Sequence, residues 1–250
     1  MKQLNKIFTF VALVGCFPMI VQACQTKAFS AHNQRIAKKN PMEKKDPQKK
    51  DLEKQDLEKQ DKELIQKLMQ DHYGNFFNYL ERKKAVNLVW REANSLERLK
   101  NVVSNEKAPL KARFLACEVL FEKHFVFVGE VGAKIVAPIY VNALLSNQTG
   151  RANSWGFLYE HDDAGPTGIR FEMIGEACIP FLIPLLDNAD QTLQYMGSKE
   201  AMVGRAYQYR IKDFAAFYLS EIMNIPIKFY QDLTQRDAEV ARFKQQVLKK

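Results

Sequence analysis

The densest run of reactive side chains in this 250-residue sequence is Trp155-Gly-Phe-Leu-Tyr159-Glu-His-Asp-Asp163. Glu160, His161, Asp162 and Asp163 supply carboxylate oxygens and one imidazole, the groups that hold a divalent metal or serve as acid and base in a hydrolase. Consecutive residues rarely converge on one point, so the plainer expectation for this run is a solvated acidic turn. Trp155 and Tyr159 stand four apart. They are either a platform for a glycan or peptide, or pins that hold a long loop onto the body. Loops this long inside a domain are often functional, and the 147–168 stretch is the first candidate for a contact surface.

A second irregular stretch, 188–208, carries Tyr195-Met-Gly-Ser-Lys-Glu-Ala, then Gly204 and Arg205. Its pattern predicts a small hairpin turning at Gly197-Ser198. Tyr195 and Arg205 join Trp155 and Tyr159 as the candidate binding residues. Beyond them, Arg210 and Asp213 lie three apart, within reach of a structural ion pair on a helix. No Gly-rich phosphate loop, Cys-x-x-Cys, His-Glu-x-x-His or Gly-x-Ser-x-Gly motif occurs. We therefore assign no catalytic residue, no metal ligand and no cofactor. Cys117 and Cys178 fall on apolar helix stripes and read as small buried hydrophobes rather than as a disulfide.

The elements that must position these residues are helical. Leu110, Phe114, Cys117, Phe121 and Phe125 recur at spacings of four, three, four and four, with Pro109 at the start. Val136, Tyr140, Ala143 and Leu144 make a second stripe, and Cys178, Leu182, Leu185 and Leu186 a third. The third is apolar nearly all round, so it predicts a buried central helix, kinked at Pro184. Ile211, Phe214, Ala215, Tyr218 and Ile222 make a fourth. Thr234 with Asp237 reads as a capping box for a last helix carrying Val240, Phe243 and Val247. The 64–103 stretch adds two or three further helices.

Composition agrees with that pattern. Hydrophobic residues make up 46%, which excludes a wholly disordered chain, and Gly and Pro number only 11 and 9, which favours helices over turn-rich β structure. The net charge is +8. It is concentrated upstream: residues 25–62 hold eleven Lys/Arg against seven Asp/Glu, and the body from Glu63 on keeps only +2. No basic face is implied there, and no nucleic-acid partner is expected.

The N-terminus reads as an export signal. Lys2 and Lys6 precede an apolar run from 7 to 21, and polar residues begin at Gln25. Val21-Gln22-Ala23-Cys24 is similar to the lipobox of bacterial lipoprotein precursors, an apolar residue and two mostly small ones before the lipidated Cys. Leu13-Val14-Gly15-Cys16 matches the same pattern, but the residues after it stay apolar where that family turns polar. The resemblance implies cleavage before Cys24, with residues 1–23 removed and acyl chains on Cys24 as a membrane anchor. By that family's sorting habit, Gln25 after the Cys leans toward an outer membrane.

Residues 24–62 then form a charged tether. Its pentad repeat, Asp-Leu-Glu-Lys-Gln at 51–55 and 56–60, sets Leu52 and Leu57 about 140° apart on a helix and so makes no coiled-coil seam. A solvated helix or a disordered spacer is expected, with Pro41 and Pro47 discouraging a continuous helix upstream.

The body, residues 63–250, resembles HEAT-repeat proteins. Pro109, Arg113, Ala116 and Leu120 look like the first helix of such a repeat, and residues 133–145 like its second. The 175–187 segment, Gly-Glu-Ala-Cys-Ile-Pro-Phe-Leu-Ile-Pro-Leu-Leu-Asp, is similar to another second helix. Residues 209–219 look like the first helix of the next. The resemblance implies a short, irregular all-α solenoid of helical hairpins with two long insertions. The expected function is a lipid-anchored binding or scaffold module of the cell envelope, with a protein partner and no enzymatic activity. The alternatives are a metal-assisted hydrolase of envelope polymers working through residues 160–163, and a purely structural envelope lipoprotein.

Overall fold

Pro47 opens α1 (Pro47–Met69), a 23-residue helix that begins inside the charged stretch and ends in the body. In this computed structural model the described residues are 47–250, except 71, 72, 79 and 157–164; side chains are described from Glu58 on, those of Tyr73 and Gly74 excepted. The export signal, Cys16, Cys24, Tyr159 and Glu160 to Asp163 therefore lie outside the described residues. Helix α1 runs unbroken across the expected tether boundary at Lys62. Leu64 and Leu68, one turn apart, are almost fully buried. Arg98 donates to the Gln60 carbonyl, and Lys67 pairs with Glu92, so the end of α1 is fastened to the following helices.

After α1 come α2 (Tyr73–Phe76), α3 (Arg82–Trp90), α4 (Ser95–Ser104), α5 (Leu110–Lys123), α6 (Phe127–Val131) and α7 (Ala133–Leu145). Then follow α8 (Ile169–Ile174), α9 (Ile179–Leu182), α10 (Ser198–Tyr207), α11 (Ile211–Met223) and α12 (Leu233–Val247). Among the described residues the chain is helical, with no strand. Lys50–Lys250 forms one compact unit in which elements pack mainly on their sequence neighbours: α5 on α4 and α7, α7 on α8, α11 on α8, α9 and α12. Each helix presents an apolar face too small to be dry alone, and the stacking removes it from water.

Helix α5 is the centre of this stack. Ala112 and all residues from Phe114 to Phe121 are buried. Its one buried charge, Glu118, accepts from Arg82 Nη2 at 2.8 Å and from the Tyr140 hydroxyl. Arg82 also donates to the Phe76 carbonyl at 2.8 Å and to Glu122 at 2.9 Å, and Arg170 reaches Glu122 at 3.1 Å while lying over the Phe121 ring. This latch ties α3, α5, α7 and α8 together with every partner inside the protein, and burial, with Glu118 beside it, pushes the Tyr140 phenol well above its ordinary range.

Four expectations need correction. The stripe through Phe125 ends early: α5 stops at Lys123, and Phe125 is 67% exposed. The central helix at 178–186 is instead a succession of 3₁₀ turn (Gly175–Cys178), α9 and 3₁₀ turn (Ile183–Asp187). Pro180 and Pro184 remove N–H donors on successive turns, so a regular α ladder cannot form there. The last helix is capped by Asp232, whose carboxylate accepts from the Gln235 amide at 2.8 Å, and not by Thr234. The hairpin at Gly197-Ser198 is also absent. Gly197, at φ +103°, turns the chain directly into α10, whose Lys, Glu, Ala and Met residues favour helix. Other expectations agree with the structure: α7, α11 and α12 bury the named stripes save half-buried Ile222, and Cys117 and Cys178 are buried free thiols.

Candidate functional site

The two insertions, separate in sequence, are docked on one another. The Ala152 amide donates to the Gln194 carbonyl at 2.7 Å, and the Asn153 side chain pairs with both backbone groups of Met196 at 2.8 Å. The Tyr195 hydroxyl donates to the Gly156 carbonyl at 3.1 Å. Side-chain amides that satisfy backbone groups in this way replace the ladder a regular element would supply.

Trp155 does not belong to any contact surface, which corrects the sequence expectation. Its side chain is fully buried, stacked on Phe114 with centroids 6.3 Å apart and tilted against Phe171 at 6.0 Å, and its carbonyl accepts the Tyr218 hydroxyl. A ring this large contributes most when its area leaves water, and three aromatic neighbours from α5, α8 and α11 offer that environment. Trp155 is therefore the pin that holds the first insertion onto the helices.

Tyr195 and Arg205, by contrast, line one open cavity of about 350 Å³ between the extended 188–197 segment and α10. Gln191, Gln194, Gln208 and Tyr209 complete its polar lining. Arg205 is exposed, with no acceptor among the described residues. Tyr209 is 3% exposed and its hydroxyl has no hydrogen-bond partner among the described residues. An unpaired buried hydroxyl costs roughly 1–3 kcal/mol, so this group gains whenever an acceptor enters. Burial, followed by the neighbouring Tyr195 and Tyr207 phenols, pushes the Tyr209 phenol up, so it stays a neutral donor at physiological pH.

Close packing fixes the cavity wall. A Cβ on Gly204 would stand 2.8 Å from Tyr195 Cδ2, so only glycine lets that ring lie on α10. Tyr207 stacks on Tyr209 with centroids 5.1 Å apart, and the Arg236 guanidinium lies 5.1 Å from the Tyr209 centroid. Arg236 is held in turn by Asp213, by the Tyr207 carbonyl at 2.5 Å and by the Tyr230 carbonyl at 3.0 Å. The expected Arg210–Asp213 ion pair is present at 3.3 Å, and the Asp213 carboxylate also accepts from the Arg210 amide at 2.8 Å at the start of α11.

The lining offers amide donors and acceptors, two phenols and one cation, and it contains no acidic group. It can recognise an extended polar chain bearing a carboxylate. Sequence reasoning found Tyr195 and Arg205 but missed Gln191, Gln194, Gln208 and Tyr209. The legible signal was the Tyr207-x-Tyr209 pair next to a glutamine-rich, aperiodic stretch. Among the described residues, no cluster of three metal-binding side chains occurs, and no helix is long and apolar enough to cross a membrane. No family model, curated protein or solved structure matches this chain.

Proposed function

We propose that this chain is an exported, lipid-anchored helical module of the cell envelope that binds a protein partner through the Tyr195–Arg205 cavity. The observation that carries the reading is a Tyr209 hydroxyl and an Arg205 guanidinium, both without a partner among the described residues, in one open cavity with fixed walls. Unsatisfied donors on a rigid support are what a binding site needs and what a merely structural loop avoids. Packing of most helices on elements near them in the sequence supports a short HEAT-like solenoid as the scaffold. The anchor rests on Cys24 in its lipobox-like context and on the charged stretch between it and the body.

The test is site-specific photo-crosslinking in intact envelopes, with a benzophenone side chain at Gln191 and a control at Lys83 on α3. A product formed at Gln191, absent at Lys83 and lost with Arg205→Glu supports the reading. Equal products at both positions, or none at either, would overturn it. Cys24→Ala should release the protein from the membrane fraction and abolish incorporation of a palmitate analogue.

A further inference from the structure

A second cavity, of about 220 Å³, opens where the first insertion meets the N-terminal helices. Its apolar wall is Phe76, Phe77 and Pro166, and its polar wall includes Arg82, Arg151 and Thr167. Arg82 is fully committed to Phe76, Glu118 and Glu122. Arg151 differs: the residue is half-buried and its guanidinium makes no hydrogen bond or ion pair among the described residues. Thr167 is wholly buried, and its Oγ1 has no partner among the described residues. Two independent deficits therefore meet in one cavity, an uncompensated cation and an unsatisfied hydroxyl. A buried polar group left unpaired is costly, and so is a partly desolvated charge, unless a ligand completes them.

We propose that this cavity is a binding site for a small monocarboxylate with an apolar body, the carboxylate taken by Arg151 and Thr167 Oγ1 and the body by Phe76, Phe77 and Pro166. A guanidinium suits a carboxylate because its parallel N–H donors match two oxygens, and a hydroxyl adds a third donor. The volume admits one ring or a chain of similar size and excludes a nucleotide. A neutral apolar molecule would leave both deficits in place, and an inorganic anion would leave the phenylalanine wall wet. This site is distinct from the Tyr195–Arg205 cavity and stands whether or not that cavity binds a protein.

The experiment is titration calorimetry of the full chain in detergent with benzoate as probe and benzyl alcohol as its neutral control. Saturable benzoate binding is expected, with benzyl alcohol at least tenfold weaker. Arg151→Gln should weaken benzoate about tenfold, the loss of one charge-assisted contact. Thr167→Val should weaken it several-fold while leaving the melting temperature equal or higher, because it removes an unsatisfied buried hydroxyl. Failure of wild type to bind benzoate saturably would overturn the proposal, as would binding unchanged in both variants or equal binding of the alcohol. A lower melting temperature in Thr167→Val would assign the hydroxyl to an internal partner and would likewise overturn it.

Discussion

Asp213 and Arg236 are both completely buried, and the carboxylate of the first lies 3.3 Å from Nε of the second. The contact is ionic rather than a formed hydrogen bond at Nε, and the guanidinium spends its other donors on the Tyr207 and Tyr230 carbonyls. Asp213 also accepts from the Arg210 amide at 2.8 Å. One carboxylate thus neutralises a buried arginine under Tyr209 and caps α11. Removing it leaves a buried cation without its counter-charge. Asp213→Ala is expected to lower stability by about 3–5 kcal/mol, the usual cost of breaking a buried pair from one side. Urea unfolding followed by circular dichroism measures it, and a loss under 1 kcal/mol would refute the assignment.

Asp237 gives a pH signature. The hydrogen bond from Arg210 lowers its carboxyl most, burial opposes, and Lys212 lowers it further, to about 2. A carboxylate depressed in the folded state stabilises the fold above its unfolded value near 3.9, and that contribution is lost as pH falls through 2. Wild type should therefore exceed Asp237→Asn in melting temperature at pH 5–7, with the gap closing between pH 4 and 2. Its side chain is 43% exposed, so solvent screening keeps the gap modest. A gap that widens on acidification would contradict the sign.

Trp155 separates a pin from a platform. Trp155→Ala should cost about 3–5 kcal/mol, as for other buried large-to-small changes. The indole N–H has no acceptor among the described residues, so Trp155→Phe should lose packing area without stranding a partner and be clearly milder. Denaturation of the two variants decides. Equal, negligible losses would return Trp155 to the surface.

The two body thiols should be inert in the native protein. Burial pushes the Cys178 thiol up to about 12, and the Cys117 thiol is raised well above its usual value by burial and then by Glu118. The thiolate is the reactive form, so both should resist alkylation at pH 8 and label fully in denaturant. Mass mapping of the peptides distinguishes them from Cys16 and Cys24. Rapid native labelling of either would show that its helix opens.

Gly204→Ala probes the cavity without touching a polar group. The added Cβ meets the Tyr195 ring at 2.8 Å, so the ring must move, while alanine favours helix in α10. Helix content should hold and Gln191 crosslinking should fall at least several-fold. Undiminished crosslinking would mean that the Tyr195 wall plays no part in contact.

Much of this architecture was legible in the chain. The spacing of Val136, Tyr140, Ala143 and Leu144, and of Val240, Phe243 and Val247, is a one-dimensional record of which helix face leaves water. Arg210 and Asp213 were readable as a pair from their three-residue interval, although Arg210 stands just before α11 in extended backbone and meets Asp213 from the N-cap position. Where local chemistry competes, the pattern misled. The 175–187 segment has helical periodicity, yet its two prolines deny the ladder. Gly197-Ser198 resembles a hairpin turn, yet the residues after it propagate helix.

The binding candidates divide along the same line. Residue types by themselves determined an all-helical body, a charged stretch ahead of it and buried thiols, because these depend on composition and short-range spacing; of the second expected insertion, 188–208, the latter half is helix α10. Only the tertiary structure decided that Trp155 is interior while Tyr195 and Arg205 face an open cavity, and that Tyr209, Arg151 and Thr167 carry polar groups without a partner among the described residues. Burial and hydrogen-bond satisfaction are set by residues far apart in the chain, such as Asn153 with Met196 or Trp155 with Phe114. No local pattern encodes which of two aromatic residues will find those distant partners first.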